Sequence, residues 1–519
     1  MKRYLVSMLT LGLMLVFFVP LLRAADTPKR GGTLRMAIRK DMRLMNPLVG
    51  TQSTEQRIRN LMFEPLLGID LQGKIQPNLA ESWKISKDGK LYTFYLRKGV
   101  KFHNGQEMTA EDVKFAIDYT RNPKNGAYGF TTLGVISRAE VADKYTLKLR
   151  LKAGSPAFLS SLTSIKSFSV IPKESLEQGI NKPVKLPPGT GPFKFVNWKP
   201  RQRIILARFD DYWGHKAFID RLELRIIRDA TVQFTALRAG DVDFVERTPY
   251  PWVRQILKGK VKGVNFAKSE SAGFRRLRFN VTAPPFNNHK LRLAVAHAID
   301  KKEILQAAYY GFGEIVDQKY PKNHTRYFKG IKFPSYDLDK AKALLKEAGY
   351  KGETIQIVLR HGEDAETEAT TLKAQMAKIG LNIDLNVMDS GSYTDRRNRG
   401  KFAFSFDGSS SSPDPWPTYA RDLVCPRNMK HRSGNVSGYC NKEVDALFKK
   451  ARGELNVGKR DQLFRQILTQ VAEDVPSVYV AFVPRFFTFL DYVKGFTTDT
   501  DGASYRWWGG GMNYTWLDK

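Results

Sequence analysis

Few residues of this chain have the types and spacing that chemistry requires. Cys425 and Cys440 are its two cysteines. The loop between them contains Pro, Gly and Asn, which suits a disulfide in an oxidising compartment; two buried thiols are the alternative. His289 and His297 lie on one helix-like stretch at a spacing that could share a face. A metal pair usually has closer or additional ligands, so a structural role is expected. Asp499-Thr500-Asp501-Gly502 begins as a calcium loop does but lacks the later ligands and the closing glutamate, and reads as a turn. No GxSxG, SxxK, P-loop, GxGxxG, HExxH or CxxC string occurs. Those strings carry nucleophiles, phosphate cradles and metal ligands. A catalytic reading therefore has no positive residue, and neither a metal nor any other cofactor is expected.

The elements that would position any site are legible in places. Residues 78–120 read as a short helix-like piece ending at Trp83, an Asp88-Gly89 turn, and a strand whose Tyr92, Phe94 and Leu96 share one face. Thr109 and Asp112 form a capping box for a helix with Val113, Ala116 and Ile117 on its apolar side, stopped at Asn122-Pro123. Strand-like runs at 146–152 and 221–227 alternate with helices at 229–238 and 339–348, which end at Gly240 and Gly349. Two more helices begin on the capping residues Asn288 and Asp300. Interleaved strands and helices predict an α/β protein.

The wording of 78–120 also resembles the signature segment of the family 5 extracytoplasmic solute-binding proteins. That family includes the dipeptide-, oligopeptide- and nickel-binding receptors of ABC importers. Further matching strings follow in order along the chain. GGTLRMAI (31–38) looks like the family's first strand and NLMFEPLL (60–67) like its first helix. GTGPFKFVNW (189–198), ALRAGDVDFV (236–245), FNVTAPPFNNHKLRLAVAHAIDKKEI (279–304), YDLDKAKALLKEAGY (336–350) and a closing MNYTWLDK are also similar to it. The resemblance implies a periplasmic-binding-protein-like α/β fold of two lobes with a hinge and a ligand cleft. One lobe would comprise 26–63, 187–285 and 495–519, with an inserted subdomain at 64–186; the other would be 286–494.

The N-terminus, with Lys2 and Arg3 before an apolar run from Leu5 to Val19 and a small residue at Ala24, reads as a secretory signal peptide over 1–24. About 15 apolar residues fall short of the roughly 20 that a membrane span needs. The mature protein is expected in the periplasm, as a monomer. Its formal charge of +32 falls to +29 once Lys2, Arg3 and Arg23 are removed. The basic residues are spread along the chain and no nucleic-acid motif accompanies them, so no nucleic-acid partner is expected. The charge reads as a solvated surface that could also draw in anionic ligands or membrane surfaces.

The resemblance also implies cleft-lining residues: Thr51 and Ser53, Tyr250 and Trp252, Phe274 and Arg275 on the first side, Arg360, Asp407, Ser409 and Trp416 on the second. Each has a plainer reading. Thr51 and Ser53 could cap a helix, Tyr250 and Trp252 could pack beneath a loop, and Phe274 could be core. Two positions depart from the family. Peptide-binding relatives hold the ligand's amino group with a carboxylate about where Ser409 stands, with Asp407 two residues earlier. A hydroxyl cannot neutralise a buried ammonium, which unpaired costs several kcal/mol. Arg275-Arg276 replace apolar residues; exposed arginines at a strand end are one reading, and a cleft in which Arg275 and Arg360 bind a carboxylate or phosphate is the other. The leading functional expectation is capture of a peptide-like or other small solute, acidic ones included, for an inner-membrane ABC permease. A receptor reporting to a membrane sensor and a secreted hydrolase are the alternatives.

Overall fold

The computed structural model describes residues 27–42, 46–49, 53–70, 74–165, 167–176, 186–269, 273–409, 411–412, 414–432, 434–498, 506–507 and 510–519. Residues 1–24, expected as a signal peptide, Thr51, and residues 499–502, expected as a turn, lie outside them.

Among the described residues three larger sheets organise the chain. A seven-stranded sheet runs in the order Val264–Lys268, Phe486–Leu490, Phe244–Val245, Thr33–Ile38, Arg221–Ile226, Arg203–Arg208, Phe193–Lys199. Its central strand, Thr33–Ile38, lies parallel to both neighbours. A six-stranded sheet runs Glu314–Ile315, Ser477–Phe482, Phe274–Phe279, Phe404–Ser409, Ile355–Arg360, Ile383–Met388. A four-stranded antiparallel sheet from residues 80–151 carries its own core of Phe94, Leu96, Val113, Ile117 and Leu149.

Local chemistry explains many element ends. Thr109 and Asp112 form the expected capping box. Asp229, Asn288 and Asp300 each accept backbone N–H bonds at the start of their helices. Tyr92, Phe94 and Leu96 are buried in alternation. Cys425 and Cys440 are joined as a disulfide.

Three expectations are corrected. The piece ending at Trp83 is not helical but the strand Ala80–Ile85. A bulge between Ala80 and Ser82 breaks the pairing register, so Ala80 and Trp83 face the core three residues apart and imitate helical spacing. The helix in NLMFEPLL begins at Ser53 and stops at Met62, because the residue before Pro65 resists helical backbone. Strand pairing also places Phe274–Phe279 in the six-stranded sheet and Phe486–Leu490 in the seven-stranded one. The chain thus changes sheet between the strands ending at Lys268 and beginning at Phe274, and again at 483–485, rather than near 285 and 494.

Candidate ligand-binding site

The passages between the sheets run side by side. Ser269 N–H donates to Arg485 O at 2.9 Å, Arg485 N–H to Ser269 Oγ at 2.8 Å, and Val483 N–H to Gly273 O at 3.2 Å. Arg247, in the loop after strand 244–245, reaches Asp364 of the helix Glu363–Ala377 at 2.8 Å. This ion pair ties the edge of one sheet's loops to a helix covering the other. Strands 355–360 and 404–409 run parallel and end at a common edge, where strand 274–279 begins. There Phe274 pairs with Ser409, Arg275 with Gly408 and Arg276 with Asp407. Carboxyl ends of parallel strands are where α/β folds place ligands.

Arg275 and Asp407, both expected to meet ligand, are instead committed to protein partners. Arg275 binds both oxygens of the fully buried Glu368, whose carboxylate also accepts the Tyr309 hydroxyl. Gly408 makes room for this arginine: a Cβ there would lie 2.8 Å from the Arg275 guanidinium. Burial works against the Arg275 charge, but Glu368 outweighs it and holds the guanidinium well above its ordinary pKa.

Asp407 belongs to an ionic layer on the opposite face of the sheet. It accepts Arg276 Nε at 2.8 Å, Arg278 at 3.2 Å, and Arg397 from the helix Ser390–Asn398. Asp422, from the helix Pro415–Leu423, accepts Arg276 at 2.7 Å, Arg278 at 3.2 Å, and the Lys319 ammonium. Two carboxylates therefore serve four cations. Burial alone would raise both acids; their cationic partners overcome it and hold both below the usual carboxylate range. Lys319 is pushed down to about 8, because burial together with Arg276 outweighs the pull of Asp422.

The aromatic candidates are packed. Tyr250 is buried against Tyr309 and Phe486 and donates its hydroxyl to Pro484 O at 2.8 Å; burial pushes its phenol up. Trp252 stacks on Phe234 at 4.6 Å. Phe274 is core, against Tyr479 and Phe482. The Trp416 indole donates to Phe448 O at 3.1 Å, with Arg452 over its ring. Ser53 opens the first helix. Ser409 is half-buried at the end of its strand. Arg360 is exposed, its guanidinium 5.8 Å from the centroid of Tyr393. On the same ring Arg397 sits at 4.5 Å.

Sequence reasoning missed Arg278, Lys319, Tyr393, Arg397 and Asp422. One signal was present: in FRRLRF, Arg276 and Arg278 alternate onto a single strand face that would ordinarily be apolar.

The profile of the bacterial extracellular solute-binding proteins, family 5 Middle, matches residues 74–430. The chain belongs to that family. Among similar proteins is heme-binding protein A of Haemophilus influenzae, 32% identical over 87% of this chain and 86% of that one. Helicobacter pylori DppA, an ABC transporter-associated periplasmic binding protein solved with the peptide STSA, is 29% identical with a TM-score of 0.81, covering 95% of this chain and 99% of that one. AgaA from A. tumefacien R10, solved with agropinic acid, is 26% identical with a TM-score of 0.81, covering 94% and 99%. Family 5 is a family of binding proteins, so this family 5 chain is a substrate-binding protein of the ABC-importer type.

Proposed function

We propose that the mature chain works in the periplasm, after loss of residues 1–24. It captures a peptide-like or other small, acid-bearing solute between its two large sheets and delivers it to the permease of an ABC importer. The observation that carries this reading is that Ser269 and Gly273, between strands 264–268 and 274–279, lie against the second passage at 483–485. Two lobes joined by so little chain close as a hinge around a bound solute, and the closed form is what a permease meets. Arg360 and Ser409, at the shared strand edge, are the proposed ligand contacts on the second side; Thr51 and Ser53 are those proposed for the first.

Of the similar proteins one is named for binding haem and two were solved with a peptide and with agropinic acid, so fold alone does not choose a ligand. The side chains favour an acid. Asp407 is covered by three arginines and offers little to a ligand ammonium, whereas Arg360 is exposed with no carboxylate partner among the described residues. Small-angle scattering tests closure: addition of a solute identified by native mass spectrometry should reduce the radius of gyration. An unchanged profile with the solute demonstrably bound would remove the hinge mechanism.

A further inference from the structure

We infer that the ionic layer on one face of the six-stranded sheet is an acid-recognition device, selecting solutes that present a carboxylate or phosphate at the Arg360–Tyr393–Arg397 edge and rejecting those that present an ammonium there. The inference rests on the solute-binding reading and deepens it.

Charge balance is the first support. Arg276, Arg278, Lys319 and Arg397 converge on two acids, Asp407 and Asp422. Among the described residues the layer therefore keeps two positive charges in excess. The side chains of Arg276, Arg278 and Lys319 are 5% exposed or less. Buried charge without a counter-charge is among the costliest features a fold carries, so such an excess makes sense where a bound anion offsets it.

Unspent hydrogen-bonding capacity is the second. Arg278 and Ser405 face each other across paired strands, and Arg278 Nε, Arg397 Nε and Ser405 Oγ are all buried without a partner among the described residues. Connection to solvent is the third. Arg397 is the most exposed of the four cations. It lies on one side of Tyr393 and the exposed Arg360 also contacts that ring. The layer thus reaches the surface at the strand edge proposed for ligand contact. An anion there sits in the field of the excess charge, which water screens weakly behind a buried wall.

The experiment uses the full mature protein. Native mass spectrometry of fresh material identifies the co-purified solute, and calorimetry then measures glutarate, inorganic phosphate and cadaverine as probes. An acidic solute, with at least one anionic probe bound and cadaverine not, is the expected result; glutarate against phosphate decides which acid group fits. Lys319→Met removes one buried cation without altering the surface and should weaken the acid probe about tenfold. Arg360→Gln, an exposed change that spares folding, should weaken it similarly. A neutral or cationic solute, or unaltered acid affinity in both variants, overturns the inference while leaving solute capture intact. Equal losses in a surface lysine variant such as Lys148→Gln would assign the effect to the protein's overall positive charge and overturn it as well. If native mass spectrometry finds no solute and none of the probes binds, the solute-binding reading itself fails and the inference with it.

Discussion

Arg275 and Arg276 are neighbours on one strand, yet the two faces of their sheet treat them differently. Arg275 meets Glu368 one to one, with Tyr309 completing the carboxylate. Around them lie apolar side chains such as Leu277, Phe279 and Leu372. That face is electrically closed. Arg276 enters a layer whose cations outnumber its acids. A matched buried pair is what structure needs from a charge; an unmatched layer is what recognition needs. The ligand is therefore to be sought on the side of the unmatched layer.

Removing Asp422 should produce the largest effect. Asp422→Ala strips a partner from Arg276, Arg278 and Lys319 at once and leaves four cations around a single acid. The loss of unfolding free energy should be about 3–5 kcal/mol or more, the cost of breaking a buried pair, measured by denaturant titration. A loss below about 1 kcal/mol would mean that water already screens the layer.

On the matched face, Glu368→Ala should cost about 3 kcal/mol by orphaning Arg275. The double variant Arg275→Met with Glu368→Leu should recover most of that, since a matched pair can be exchanged for apolar packing. Failure of the double variant to recover would show that the pair sets local geometry as well as neutrality. The same exchange on the ionic face should stabilise the protein while abolishing acid binding.

The sequence exposed these two faces unevenly. Capping at Thr109, Asp229, Asn288 and Asp300 was readable because a cap is a contact between residues two or three positions apart. The alternation at Tyr92, Phe94 and Leu96 was readable for the same local reason. The strand Ala80–Ile85 was missed because a bulge gave it helical spacing. Sheet membership of Phe274–Phe279 depends on partners at 404–409 and 477–482, which no local pattern specifies. The site suffered most. Arg275 looked free because Glu368 lies far along the chain, and Asp407 looked available because Arg276, Arg278 and Arg397 come from two separate segments.

Arg360 offers the sharpest contrast between stability and affinity. It is exposed at the end of strand 355–360 and pairs with no acid among the described residues. Arg360→Ala should therefore leave the melting temperature nearly unchanged. Affinity for the identified solute should fall by about 2 kcal/mol, the lower range for truncating one member of a charged contact. Wild-type affinity in this variant would move acid recognition away from the strand edge.

The smallest predicted effect concerns pH and isolates Lys319. Its ammonium is packed against Asp422, the Tyr419 ring and Thr418 O, with Arg276 joined to the same carboxylate. Burial lowers it to about 8 from an ordinary 10.5. Between those values the unfolded chain binds more protons than the folded one, so stability rises with pH. The penalty of keeping Lys319 charged is fully present below about pH 8 and is relieved above it. Moving from pH 8 to pH 9 should add about 1 kcal/mol to the wild type relative to Lys319→Met, which cannot titrate there. Saturating acidic solute should erase that gain, because a nearby anion favours the charged lysine and returns its pKa toward the ordinary value. Parallel stability curves for the two proteins without solute would show that the layer's excess charge is already neutralised, and the contrast between the two faces would disappear with it.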